Sequence, residues 1–99
     1  MSIQSTLVGL DLPVAYGRFR KQQELPYIVY TGAGQDNFEA DNTHYYSENS
    51  YQIEYYFKEK NEANEKAIEE ALLQNGFLYE KSPDTYIEDG DVWVIYYNV

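Results

Sequence analysis

The sequence predicts one α+β domain, residues 1–99, in which a small antiparallel or mixed β-sheet of about four to five strands packs against one main helix. Three observations predict it. The chain is long enough for one domain and leaves little room for a second. Residues 50–58 alternate apolar and polar side chains, which is the period of a half-buried strand. Residues 61–75 repeat apolar side chains at helical spacing.

The first predicted elements are short. Residues 7–12 are apolar and contain a glycine, which fits either a short helix or an extended lead-in. Pro13 disfavours helical geometry at the residue before it. The spacing of Val14, Tyr16 and Phe19 then suggests a short first strand or an edge segment.

A core strand is predicted next. The run Tyr27–Tyr30 is β-branched and aromatic, and Gly32 and Gly34 are expected to close it and to begin a loop. The polar residues that follow show little alternation. Tyr45 and Tyr46 are expected to begin or end a strand there.

The main helix is predicted over Asn61–Asn75. Asn61 is a good N-cap, and Glu62 and Glu65 place negative charge in the first turn, where the helix dipole favours it. The helix is expected to bury one stripe against the sheet. That apolar stripe consists of Ala63, Ala67, Ala71, Ile68 and Leu72.

The end of the helix and a hairpin follow from turn residues. Gly76 is expected to supply the left-handed residue that ends the helix, with Phe77 packing back onto it. The pair Asp89–Gly90 separates two extended runs and predicts a hairpin. The last run, Val92–Tyr97, is apolar on both faces, so we expect the helix to cover one side and a second subunit to cover the other.

The charge balance excludes some partners. The chain has 17 acidic and seven basic residues, and its net charge is −10. Such a surface repels nucleic-acid phosphates and anionic membranes. It favours solubility, and it suits a passage through which DNA slides without binding. The chain has no cysteine, which fits a reducing cytoplasm, and no signal peptide or membrane helix is expected.

No catalytic constellation is predicted. His44 is the only histidine, and it lies in a polar stretch typical of loops. The acidic residues 84–91 lack the closing glutamate of a calcium loop, and Gly32–Gly34 lacks the spacing of a phosphate loop. No serine has the setting of a nucleophile. We therefore expect no enzyme activity, no metal and no cofactor.

Several residues are instead candidates for contact with another subunit. The cluster Arg18–Lys21 alternates basic and aromatic residues, as single-strand nucleic-acid binders do, but the net charge favours local ion pairing or docking of a protein partner. Tyrosine combines a large apolar ring with a polar tip, which suits interfaces. Tyr27, Tyr51 and Tyr55 are expected in the core. The candidate contact residues are Tyr45, Tyr46, Tyr56, Tyr97, Arg18 and Arg20.

The order of these segments resembles a known family. The segments that carry the resemblance are Leu12–Phe19, Leu25–Tyr30, Tyr51–Tyr56, Ile68–Leu72 and the final aromatic strand. From Leu12 onward, the chain resembles the small tail completion proteins of long-tailed phages and prophages, which include tail terminators and head–tail joining subunits. These motifs are strand and helix signatures, not catalytic ones. Many members of the family begin with a longer helix than Met1–Gly9 allows.

The resemblance implies a structural role in virion assembly. Such subunits are compact α+β proteins that form a ring, often of six copies, at the head-proximal end of the tail tube. The ring stops tail polymerisation and docks the tail to the head connector, and DNA passes through its lumen without specific binding. The expected partners are thus the chain itself, the tail-tube protein and the head-connector protein. The expected location is the tail–head junction of the virion, and the host cytoplasm during assembly.

Two other functions fit the same size and charge. An acidic binding module could mimic DNA and block a nuclease, as an inhibitor or immunity protein does. A small hydrolase fits least well, because the sequence offers no pairing of a nucleophile with a base.

Overall fold

The structure is a computed structural model that describes residues 2–34 and 50–99. These residues form a mixed sheet of six strands, one main helix and one short helix, which confirms the predicted α+β class. The helices and strands are α1 (Ile3–Val8), β1 (Val14–Tyr16), β2 (Tyr27–Gly34), β3 (Ser50–Phe57), α2 (Glu62–Gln74), β4 (Glu80–Lys81), β5 (Thr85–Ile87) and β6 (Val92–Asn98).

The sheet is mixed because its first pair of strands is parallel. Along the sheet the order is β1-β2-β3-β6-β4, and β5 also pairs with β6. Strands β1 and β2 run parallel, whereas all other pairs are antiparallel. Strand β3 is central and pairs with β2 on one side and β6 on the other. The short strands β4 and β5 share the outer edge of β6, so the sheet has more strands than the sequence predicts.

Both helices pack on one face of the sheet, which we call the front face. The predicted alternation along β3 is confirmed, since Ile53, Tyr55 and Phe57 are buried there while Glu54 and Tyr56 point the other way. Buried side chains from all parts of the chain meet on this face. They are Ile3, Leu7, Ile28, Tyr30, Ile53, Tyr55, Phe57, Ile68, Leu72, Ile95 and Tyr97.

The ends of α2 match the sequence prediction closely. The Asn61 side chain accepts a hydrogen bond of 3.1 Å from the backbone N–H of Asn64. At the other end Gly76 has φ +87°. The Phe77 N–H donates to the Leu72 carbonyl at 2.8 Å, and the Gly76 N–H donates to the Leu73 carbonyl at 3.1 Å. This pair of bonds is the Schellman motif.

The buried stripe of α2 differs from the predicted one. Ala63 and Ala67 are exposed, and the buried side chains are Glu65, Ile68 and Leu72. The two large aliphatic side chains determine which side faces the sheet because they bury more apolar surface than alanine does. Glu65 lies at the i, i+3, i+7 spacing with them and is therefore buried as well.

Three boundaries or placements in the first half also differ from expectation. The first helix is Ile3–Val8, earlier than residues 7–12, because Ser2 caps it by accepting from the Ser5 N–H. Gly32 lies inside β2 and Gly34 is its last residue, so the strand closes at the second of the two predicted glycines and runs beyond Tyr27–Tyr30. The pairing with β3 shifts register between them, and an irregularity of this kind is where a strand tolerates glycine. Tyr27 lies on the face away from the core, next to the buried Ile28.

The two faces of the last strand are covered to different extents within the chain. Ile95 and Tyr97 are buried on the front face, and Val94 is buried on the opposite face with no exposed surface. Strand β6 lies inside the sheet, between β3 and the pair β4 and β5. Val92 and Tyr96 on that opposite face are only half-buried, so coverage of this side by another chain stays a prediction.

The left-handed conformation at Gly76 leads to a stability prediction. Gly76→Ala should lower the free energy of unfolding by about 1–2 kcal/mol, because a β-carbon is strained at positive φ. Urea unfolding followed by the fluorescence of Trp93, the one tryptophan, measures this.

Gly9→Ala is the matched control. Gly9 has φ −69° and ψ −3°, and an added β-carbon would meet only ordinary contacts, 3.7 Å from the Ser5 carbonyl oxygen. Its substitution should leave stability unchanged or raise it slightly. Equal losses in the two variants would contradict the assignment of strain to Gly76.

Candidate subunit interface

The face of the sheet opposite the helices carries the candidate site, and we call it the back face. Because side chains alternate along strands, it carries Tyr27 and Val29 of β2, Glu54 and Tyr56 of β3, and Val92 of β6. Tyr27 pairs with Tyr56, and Val29 pairs with Glu54. Aromatic, aliphatic and acidic side chains are thus adjacent on one surface.

The segment that links β1 to β2 is anchored on this face by aromatic contacts. The Phe19 ring meets the Tyr27 ring edge-on, with centroids 5.1 Å apart and planes at 73°. Tyr27 in turn packs against Tyr56, with centroids 5.2 Å apart. Edge-to-face pairs of this kind add stability beyond their buried area. Phe19 therefore attaches the segment to the sheet, which explains why an aromatic residue interrupts the basic cluster.

The basic cluster, residues 18–21, is exposed around this anchor. Arg18, Arg20 and Lys21 all have exposed side chains. The ion pairs found among residues 2–34 and 50–99 use Lys58, Lys60 and Lys81 and none of these three. Local ion pairing, one of the two roles expected for the cluster, is therefore not seen in the described part of the chain. Docking of a partner stays a prediction.

A groove of about 490 Å³ lies between this segment and the back face. We call it the back-face groove. It combines cations on one rim with a tyrosine-lined wall and one carboxylate. Its lining residues are Gly17, Arg18, Phe19, Arg20, Lys21, Gln22, Gln23, Leu25, Tyr27, Val29, Glu54, Tyr56, Gly90 and Val92.

Tyr56 and Glu54 form the polar centre of the groove. The Tyr56 hydroxyl donates to Glu54 Oε1 at 2.6 Å. Burial, and then this hydrogen bond, raise the pKa of Tyr56 well above its ordinary value. The hydroxyl therefore stays protonated at physiological pH and acts as a donor. Tyr56, a candidate contact residue, thus lies in the groove together with Arg18 and Arg20.

Tyr97 does not belong to this site, contrary to the expectation from sequence. Its side chain is fully buried on the front face, and its hydroxyl donates to Glu69 Oε2 at 2.8 Å. Burial, followed by that hydrogen bond, raises the pKa of Tyr97. Its neighbour along the strand, Tyr96, points to the back face. Tyr97 therefore stabilises the attachment of α2 and offers no surface to another subunit.

A charge network that the sequence analysis did not identify holds α2 against the sheet. Glu65, with a side chain only 5% exposed, lies 3.1 Å from Lys81 Nζ and 2.8 Å from Lys60 Nζ. The contact with Lys60 is an ion pair without hydrogen-bond alignment at that carboxylate oxygen. Lys81 also pairs with Glu69 at 2.8 Å, and Lys60 pairs with Asp84 at 2.9 Å. The sequence signal for the burial of Glu65 is its helical spacing with Ile68 and Leu72.

A second, smaller groove of about 420 Å³ lies on the front side, where β3 leads into α2. Leu25 and Pro26 form one wall, and Lys60 lies near the helix start. Asn64 Nδ2 donates to the Tyr55 hydroxyl at 3.1 Å. Two lysines of its lining, Lys58 and Lys60, form ion pairs with carboxylates outside the groove.

The remaining expectations concern three residues near position 45, metal binding and membrane spans. Tyr45, Tyr46 and His44 lie outside the described residues. Within residues 2–34 and 50–99, no cluster of three or more acidic, histidine or cysteine side chains is arranged to hold a metal. Nor does that part of the chain contain a helix long and apolar enough to cross a membrane.

The back-face groove can bind charged and aromatic surfaces. Comparison with known proteins does not identify a chemistry for it. The chain matches no protein-family model, no curated protein and no solved structure. The functional argument therefore rests on the residues of the back face and on the resemblance seen in the sequence.

The aromatic anchor leads to a prediction about proteolysis. Phe19→Ala should release the segment from Tyr27, so trypsin should cleave after Arg18, Arg20 and Lys21 about fivefold faster or more. Mass spectrometry of timed digests measures the rate at each site.

Two internal comparisons make this test specific. Cleavage after Lys66, in the middle of α2, should keep its original rate, which shows that the whole domain has not loosened. Leu78→Ala removes an apolar side chain that is 81% exposed and should change neither rate. If Phe19→Ala leaves cleavage at the basic cluster unchanged, the anchor is not formed.

The network predicts acid sensitivity. Burial by itself raises the pKa of Glu69, but hydrogen bonds from Lys81 and Tyr97 outweigh it and leave the pKa below its ordinary value. A lowered folded-state pKa adds stability above the unfolded pKa, and this stability is lost as pH falls through the folded value. Between about pH 6 and about pH 3, Glu69→Gln should therefore lose less unfolding free energy than the wild type.

Glu80→Gln is the control for this measurement. Glu80 is next to Lys81 in β4, is exposed, and forms no ion pair within the described residues. Urea unfolding at both pH values should give this variant the pH dependence of the wild type. If Glu69→Gln also keeps the pH dependence of the wild type, Glu69 is not the source of the acid sensitivity.

Proposed function

We propose that this chain is a structural subunit of the junction between the tail and the head of a tailed phage or prophage. Copies form a ring that ends the tail tube and docks it to the head connector. The partners are other copies of the chain, the tail-tube protein and the head-connector protein. The ring lies in the virion and assembles in the host cytoplasm.

One observation carries the proposal: the two sides of the subunit differ in charge. The back face carries three exposed cations, at positions 18, 20 and 21, although the chain has a net charge of −10. The opposite side is formed by α2, whose outer surface exposes two carboxylates, Glu62 and Glu70, and one cation, Lys66. Surfaces of opposite charge on opposite sides favour head-to-tail contact between copies. Such contact generates a ring when the rotation that relates neighbouring copies closes.

The remaining acidic surface suits the same role. Besides α2, the turn between β5 and β6 exposes Glu88 and Asp89. In a ring, acidic surface that faces the lumen repels DNA phosphates, so DNA passes without being held. The resemblance of residues 12–99 to tail completion proteins supports the same role independently of the charge argument.

Sedimentation and electron microscopy test the proposal. The purified chain, alone and mixed with tail-tube protein, should form closed rings or cap tubes at one end. Tube length should become limited when the chain is present during polymerisation. A control protein of similar size and charge should leave tube ends open.

The contrary outcome identifies the alternative function. A chain that stays monomeric, leaves tubes uncapped and binds a basic nuclease tightly would show an acidic inhibitor module that mimics DNA. Competition by duplex DNA for that nuclease would distinguish mimicry of DNA from binding elsewhere on the nuclease.

A further inference from the structure

We propose that the back-face groove of one copy binds the outer face of α2 of the next copy. The proposal rests on the proposed function, since it specifies the contact between neighbours in the ring. The occupant is a second copy of this chain. Glu62 and Glu70 of the occupant meet Arg18 and Arg20 of the groove.

The fold places these two surfaces on opposite sides of the subunit. Helix α2 packs on the front face through Ile68 and Leu72, so its outer side points away from the sheet. The groove is formed on the back face by side chains that alternate with the core residues of β2 and β3. Each copy therefore presents both halves of the contact without using the same surface twice. This is the requirement for a head-to-tail assembly.

The outer face of α2 matches the groove in charge. Glu62, Lys66 and Glu70 follow one another at four-residue spacing and form one exposed stripe. The groove carries Arg18 and Arg20 on its rim and a single carboxylate, Glu54, on its floor. The two acids of the stripe thus meet cations, and its one cation meets the carboxylate. Complementary charges of this kind set both register and partner.

The stripe also brings an apolar side chain to the groove. Leu73 lies three residues after Glu70 on the same face of the helix and is 52% exposed. The groove offers the aromatic wall of Tyr27 and Tyr56 and the aliphatic Val92. An apolar contact surrounded by charged pairs is the usual composition of a protein interface.

Nucleic acid is a poorer occupant of this groove. Glu54 lies on its floor and repels phosphate, and the net charge of the chain opposes approach of any polyanion. Phe19 packs on Tyr27 and is not free to stack on a base. A second copy satisfies both the cations and the carboxylate, which a phosphate backbone does not.

Reversal of the charges on each side tests the contact by sedimentation at several concentrations. Arg18→Glu with Arg20→Glu lowers the net charge from −10 to −14, by −2 for each residue. Glu62→Lys with Glu70→Lys raises it from −10 to −6, by +2 for each residue. Each double variant should weaken self-association by about tenfold or more, because like charges then face each other.

The variant with all four substitutions is the decisive one. Its net charge returns to −10, and its reversed groove again meets a reversed helix. Self-association should recover, and this also shows that none of the four changes prevents folding. Glu70→Lys alone should already weaken self-association, and Glu80→Lys, on exposed β4, is its control because each of these single changes raises the net charge from −10 to −8. The control should leave self-association at the wild-type level.

The outcomes separate this inference from the proposed function. If the wild type and both double variants all form rings or cap tubes, the proposed contact is wrong but the proposed ring is retained. The contact would also be overturned if the variant with all four substitutions self-associates no better than the two double variants. A wild type that is monomeric and leaves tubes uncapped would overturn both. Binding of a single-stranded oligonucleotide that is lost on Arg18→Glu with Arg20→Glu would assign the groove to nucleic acid instead.

Discussion

The pairing register of β3 is the constraint on which the rest of the structure depends. This strand pairs with β2 and with β6, and its alternate residues supply both faces of the sheet. Ile53, Tyr55 and Phe57 build the core, while Glu54 and Tyr56 build the groove. A shift of one residue would expose the first set and bury the second. Core formation therefore determines where the floor of the groove lies, and the contact of Phe19 with Tyr27 positions the segment that forms its other side.

The features that could be predicted from sequence are local ones. The alternation of β3, the Asn61 cap, the Gly76 terminus and the Asp89–Gly90 hairpin each depend on residues close together in the chain. Features that depend on distant pairing were missed. Nothing local indicates that β4 and β5 share one edge of β6, because that edge is defined only after the sheet has formed.

The candidate site divides in the same way. Arg18 and Arg20 could be recognised as a cluster, but their position on the back face depends on the contact of Phe19 with Tyr27, which joins distant parts of the chain. Tyr97 was misassigned because adjacent tyrosines in a strand point to opposite faces, and sequence alone did not show which of them faces the helix. The sequence predicts Glu65 only as a negative charge in the first turn of the helix, whereas its partners Lys60 and Lys81 come from outside the helix.

The shared outer edge of β6 has a consequence for the behaviour of the chain at high concentration. Aromatic, β-branched strands such as β6 are the kind of segment that stacks into amyloid. Here β4 and β5 occupy that edge in two short pieces, and on the opposite side of the described sheet β1 offers only three residues. Short, interrupted edges leave no continuous row of backbone groups for a second sheet to extend. These edges therefore disfavour fibril growth in a protein that carries twelve tyrosines.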